Sequence, residues 1–251
     1  MQSRILLFGH GVPQHDPALA GRSVRNVTRE HHVFAPNSRV APFIEPFMDA
    51  FVRSFLAGLE NGAYDGAAAI VFWRQGPGAL HAYRYAMELR RLGLLPQGPR
   101  LVLWNQVTED GAAQAMFNAR ATAQMLAALP EAKGDTVQAP PAMPQAIAGK
   151  GPRLALAGEP LGNDVVQTVL ARQGVLVLDL QAEDAPQGDL FSLLAQHRVE
   201  TLFWQVDVHD DLHGWRMPEV RDTCARVGVR FVDLGFLPRW PAPHDVPKVS
   251  A

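Results

Sequence analysis

VFWRQGPGALHAYRYAMELRRLG, residues 71–93, and LFWQVDVHDDLHGWRMPEVRDTCARVG, residues 202–228, follow one plan. Each opens on an apolar strand ending in Phe-Trp and passes through a polar loop with Gln. Each then reads Leu-His, a small residue, an aromatic and Arg, and continues as an amphipathic helix that stops at Gly. Strand, loop and helix in that order form most of a βαβ unit. Finding the unit twice predicts a chain built from two matching α/β halves.

The surrounding sequence carries the same rhythm. Short apolar runs occur at residues 4–9, 67–73, 100–106, 153–158, 175–180, 200–205 and 229–235. They are continuous, not alternating, as in parallel strands buried on both faces. Helical patterns lie between them, at 42–62, 78–93, 109–129, 162–174 and 217–228. In the first, Phe47, Phe51, Phe55 and Leu59 make an i, i+4 stripe, with Pro46 in the first turn and Gly62 as the stop. Such alternation predicts parallel sheets with right-handed crossovers. The expected architecture is therefore α/β, with two flavodoxin-like, Rossmann-like lobes related by duplication. The Pro/Gly/Ala-rich stretch 135–152 reads as the joint, giving an N-terminal lobe 1–134 and a C-terminal lobe 153–251. The tail 237–251 has four prolines and no periodicity, and is expected to run irregularly along the surface.

Composition narrows the function classes. Of 251 residues, 47% are hydrophobic and 19% charged, which predicts a packed core. Net charge is −2 with no basic run, so a nucleic-acid binder is not expected. No apolar stretch is long enough to span a membrane, and the opening MQSRILLFGHG lacks the pattern of a signal peptide. A cytoplasmic protein is expected. The single cysteine, Cys224, falls in a helical pattern and reads as a packed residue.

Parallel sheets bind ligands beyond the carboxyl ends of their strands. If the two lobes face one another, both repeated loops line one cleft. It would be lined by His81, Tyr83 and Arg84 from one lobe and Trp215 and Arg216 from the other, with His10 in the turn Gly9-His10-Gly11 after the first strand. Arginine and helix N-terminal amides suit an anion. The alternative is that these residues recur only because the scaffold does. In VDVHDDLH, His209 and His213 are four apart, with Asp207 nearby, so a divalent metal on Asp207, His209 and His213 is a candidate. His31 and His32 are further possible ligands. Neither a dinucleotide fingerprint, a phosphate-binding P-loop nor a nucleophile elbow is present.

The order of features from about Ala41 to Phe236 resembles the 2-hydroxyacyl-CoA dehydratase and benzoyl-CoA reductase component family. The residues carrying the likeness are 64–106 for the first lobe and 151–236 for the second. The resemblance implies two flavodoxin-like lobes, paired subunits, an acyl-CoA thioester and a four-iron, four-sulfur cluster between the lobes. In that family a Cys-Asp pair follows the strand matching LFWQ; here it reads Val206-Asp207. The other matching positions fall at Arg74 or Gln75 and at Asn37 or Ser38. None is cysteine, and clusters are held chiefly by thiolates, so no iron–sulfur cluster is expected. The expectation is an accessory or noncatalytic subunit with an acyl-CoA or anionic-ligand cleft. It would form a homodimer or pair with a cysteine-bearing paralogue. A metal-dependent lyase or hydrolase using the Asp/His set, and a pure interaction protein, stay open as alternatives.

Overall fold

The structure is a computed structural model. It describes residues 4–9, 19, 22–74, 77–105, 120, 123–124, 127, 151–162, 173–181, 188–206, 212–235, 237–241 and 246, with backbone alone at 105 and 212–215. The chain divides into two compact units, Met1–Pro140 and Pro141–Ala251. The division falls inside the stretch 135–152.

The first unit holds strands β1 (Arg4–Phe8), β2 (Val24–Asn26), β3 (Ala67–Arg74) and β4 (Arg100–Asn105). They pair in the order β2-β1-β3-β4, every pair parallel. The second unit repeats this with β5 (Arg153–Gly158), β6 (Val175–Asp179), β7 (Thr201–Gln205) and β8 (Arg230–Asp233), in the order β6-β5-β7-β8. Both orders match the start of the flavodoxin-like winding. The two-lobed α/β architecture is thus as the sequence predicts. The strand that pattern reading misses is β2, the three-residue edge segment Val-Arg-Asn. A short polar edge strand buries too little to leave an apolar signature.

Helix α1 (Ala50–Glu60) starts later than the Pro46 reading. Asp49 is its cap, accepting from the Phe51 and Val52 amides at 2.9 and 3.1 Å. A carboxylate there satisfies two orphan N–H groups, which a proline in the first turn cannot do. Phe47 consequently lies outside the helix, 69% exposed, while Phe51, Phe55 and Leu59 stay buried. Helices α2 (Pro77–Arg91), α3 (Leu190–Gln196) and α4 (Leu212–Val227) complete the described set. Most of the helical patterns at 109–129 and 162–174 lies outside the described residues.

The faces of the two sheets correct the reading of the repeat. In the first unit, Phe72 points at the helices. Its ring lies 5.4 Å from Phe55 of α1 and 5.5 Å from Tyr83 of α2, and Phe8 meets Phe55 at 4.5 Å. Trp73 lies on the opposite face with Leu7, Val71 and Trp104. In the second unit the arrangement is reversed. Trp204 packs with Leu193, Leu194, Val220 and Cys224 of α3 and α4, while Phe203 faces away. The structural counterpart of Phe72 is therefore Trp204, a spacing of 132 (72 to 204). Phe-Trp repeats at 131 (72 to 203). A one-residue slip turns every side chain to the other face. His81 to His213, Tyr83 to Trp215 and Arg84 to Arg216 all keep the 132 spacing. The helix motif is in register with the folds, and the Phe-Trp match is not.

The tail also differs from expectation. Leu237, Trp240 and Val246 pack on Leu154, Leu156, Leu161 and Phe203, covering the face of the second sheet opposite α3 and α4. Arg239 is buried with them. It meets Glu159 at 2.6 Å and donates to the Pro160 carbonyl at 2.9 Å. A sheet bare on one face would expose a row of Leu and Phe, so the apolar tail is drawn in despite its prolines. Replacing one partner of a buried pair strands the other. Arg239→Ala is expected to lower the unfolding free energy by about 3 kcal/mol in urea denaturation. Arg91→Ala, which removes an exposed pair with Glu88, should leave the midpoint unchanged.

Candidate functional site

In a sheet wound 2-1-3-4, successive connections leave the first and third strands in opposite directions. The crevice between their carboxyl ends is the default ligand position. In this chain that point lies beside Gly9 and Trp73 in the first unit and beside Gly158 and Gln205 in the second. Both glycines have positive φ, +139° and +86°. A Cβ on Gly9 would overlap the Trp73 carbonyl, and one on Gly158 would overlap the Gln205 carbonyl. The two units thus share one device: a glycine that lets the first strand leave the sheet directly against the third.

The surroundings of these crossings differ. In the second unit the protein fills the space itself. Gln181, 7% exposed, accepts from the Leu161 amide at 3.0 Å and donates to the Ala157 and Glu159 carbonyls at 3.1 and 2.5 Å. Gln205, fully buried, donates to the Val206 and Leu237 carbonyls at 3.0 and 2.8 Å. The Glu159–Arg239 pair closes the loop from above. Buried side-chain atoms without a hydrogen bond occur in this unit too, Gln205 Oε1 among them.

In the first unit, Thr28 clamps the turn. Its hydroxyl accepts from the Gly9 amide at 2.8 Å and donates to the Gly9 carbonyl at 3.1 Å. Asn26 Oδ1 accepts from the Thr28 amide at 2.8 Å. Three buried N–H groups on the face away from α1 and α2 have no hydrogen-bond partner: Asn26 Nδ2, Trp73 Nε1 and Trp104 Nε1. Strand register places Asn26 beside Leu7, which shares that face with Trp73 and Trp104. The two indoles meet edge to face at 5.0 Å. A buried donor left without a hydrogen bond costs about 1–3 kcal/mol.

The residues expected in the cleft are placed as follows. His81 and Arg84 are exposed on the second turn of α2, inside the helix rather than at the loop exit. Tyr83 is half-buried on Phe72. Arg216 is exposed on α4, and the backbone of His213 and Trp215 belongs to the first turn of that helix. His10, Asp207 and His209 lie outside the described residues. Among the described residues no group of three or more His, Cys, Asp or Glu could hold a metal ion. His32 belongs elsewhere, 3.4 Å from Glu30.

Two of the positions that the family resemblance assigns to cluster ligands, Val206 and Ser38, do other work. Val206 is packed in the apolar core of the second unit. The Ser38 hydroxyl donates to Glu60 at 2.5 Å and accepts from the Val40 and Ala41 amides, building the turn before α1. Cys224 is fully buried beside Leu194 and Val220, and burial pushes its thiol up to about 11. A thiol of that kind is protonated at neutral pH and is a poor metal ligand. These residues do not fit an iron–sulfur cluster. No protein-family model matches the chain, and no curated protein sequence matches it.

Two outcomes follow. Gly158→Ala combines a strained φ with a backbone overlap, and should cost about 3 kcal/mol. Gly228→Ala also has positive φ (+73°) but meets nothing within 4 Å, so about 1 kcal/mol is expected. Equal urea midpoints for the two variants would refute the close approach. For Cys224 the folded state favours the neutral thiol, so its contribution is complete below the unfolded value of 9.0 and lost as pH rises to about 11. Between those values the wild-type midpoint should fall more steeply than that of Cys224→Ala.

Proposed function

We propose that this chain is an accessory, noncatalytic relative of the 2-hydroxyacyl-CoA dehydratase and benzoyl-CoA reductase components. It binds an acyl-CoA thioester, or a ligand of like charge, at the carboxyl ends of its strands. The observation that carries the reading is the set of three N–H donors without a hydrogen bond, toward the carboxyl ends of β2, β3 and β4 on one face of the first sheet. Thioester carbonyls and phosphate oxygens are acceptors, and they would complete Asn26, Trp73 and Trp104. Exposed His81 and Arg84, early in α2, supply donors and positive charge for the phosphates. The second unit, whose crossing is filled by Gln181, Gln205 and the tail, serves as scaffold.

The same reading accounts for the chemistry that this chain leaves to others. With one cysteine, buried and protonated, it has no set of thiolates for the electron-transfer cluster of its catalytic relatives. A second copy, or a cysteine-bearing paralogue, completes the assembly. Phe43 and Phe47, 50% and 69% exposed, offer apolar area for such pairing.

A thermal-shift titration tests the binding. A ligand present at a hundredfold excess over its Kd stabilises the native state by about 2.7 kcal/mol. Butanoyl-CoA should raise the melting temperature saturably, and Arg84→Ala should weaken its binding about tenfold. If no acyl-CoA shifts the transition, the chain is not a thioester binder.

A further inference from the structure

A second feature lies at the opposite end of the first sheet. A pocket of about 260 Å³ opens at the amino ends of β1 and β3, on the side that carries α1. Arg4 and Leu6 of β1, Arg25 of β2, Ala67 of β3, and Tyr64 and Gly66 of the preceding turn form its walls. Leu6 pairs with Arg25, and Arg4 pairs with Ala67 just where the β1–β3 register shifts, between Arg4 and Ile5.

The charges in this pocket do not cancel. Arg25 is held by a single carboxylate oxygen, with Nε at 2.7 Å and Nη2 at 2.5 Å from Glu30 Oε1. That fixes the guanidinium in place and neutralises it. Arg4 has no carboxylate paired with it among the described residues. Asp65, next to Tyr64, turns its carboxylate toward Gly62 instead. The pocket therefore carries one positive charge in excess.

The rest of the lining is apolar and rigid. Tyr64 is 2% exposed, stacked on Phe55 at 5.3 Å and met edge-on by His32 at 5.5 Å. Its hydroxyl lies over the α1 backbone at Gly58, which leaves ring carbon to line the pocket. The volume is just below the range of about 300–1,000 Å³ that suits drug-sized ligands.

We propose that this pocket binds a small monocarboxylate with a short apolar chain. Arg4, backed by the anchored Arg25, takes the carboxylate. Leu6, Ala67 and the Tyr64 ring take the chain. The site is separate from the acyl-CoA site proposed above and stands or falls independently of it.

Isothermal titration of the full chain with sodium butanoate tests the assignment, with butanamide and inorganic phosphate as comparisons. Two variants accompany it. Arg4→Gln removes the unpaired cation. Gly66→Leu fills the opening, because a Cβ at Gly66 meets nothing within 4 Å and a larger side chain enters free space. Butanoate should bind saturably and butanamide should not. Both variants should weaken butanoate at least tenfold, while Gly66→Leu keeps the wild-type melting temperature and the wild-type response to butanoyl-CoA. The proposal is overturned if butanoate gives no saturable heat, if butanamide binds as well, or if either folded variant keeps wild-type affinity. Phosphate binding as tightly as butanoate would overturn the role given to the apolar chain.

Discussion

The close approach of the first and third strands, at Gly9 against Trp73 and at Gly158 against Gln205, is the constraint on which both units depend. Parallel strands side by side leave little room where the chain must turn out of the sheet. A side chain at either glycine would force the strands apart at the point where the connections diverge. With glycine there, the sheet stays closed to its end.

That common geometry has two different fates. In the second unit the chain returns to its own crevice. Arg239 brings its charge to Glu159, and Leu237 and Trp240 bring apolar cover to Phe203 and Leu156. Gln181 and Gln205 satisfy the carbonyls that the turn leaves open. Polar groups there are spent on holding the fold, which is what a structural end requires. In the first unit Trp73 stands where the second has Gln205, and its indole N–H makes no hydrogen bond. A duplicated scaffold need not bond both ends alike, and among the described residues the internal side-chain bonding differs between the two units.

Much of the fold is legible in the residues. Runs such as RILLF, AAAIVFW and TLFWQ are apolar on both faces, and only a strand between two covered layers demands that. What the sequence hides is instructive. β2 is three residues long and carries Arg25 and Asn26, so no apolar pattern reveals it; its pairing is dictated by β1. The start of α1 was masked by Pro46, which suits a first turn, whereas Asp49 competes better because it bonds two amides. The tail reads as surface chain by its prolines, but its Leu237, Trp240 and Val246 pack on the sheet face that carries Leu154, Leu156 and Phe203. Of the residues expected in the cleft, His81, Tyr83 and Arg84 are legible as a motif. The unpartnered donors are not, because an unmade hydrogen bond is a property of three-dimensional surroundings.

The Phe-Trp pair shows how a sequence match can be right in meaning and wrong in register. It led to the duplication, which the two sheet orders bear out. Yet Phe72 and Trp204, not Phe72 and Phe203, occupy the same place. Alternation along a strand makes this decisive, since a residue either faces the helices or faces away. Phe72 supports Tyr83 on the helix side, and Trp204 packs against α3 and α4 from the same side. Trp73 is thereby freed to point its indole to the other face, where it meets Trp104. The first unit owes its pair of buried indole donors to that one-residue difference. The second unit has Gln205 in the place of Trp73, and uses it to tie its own tail.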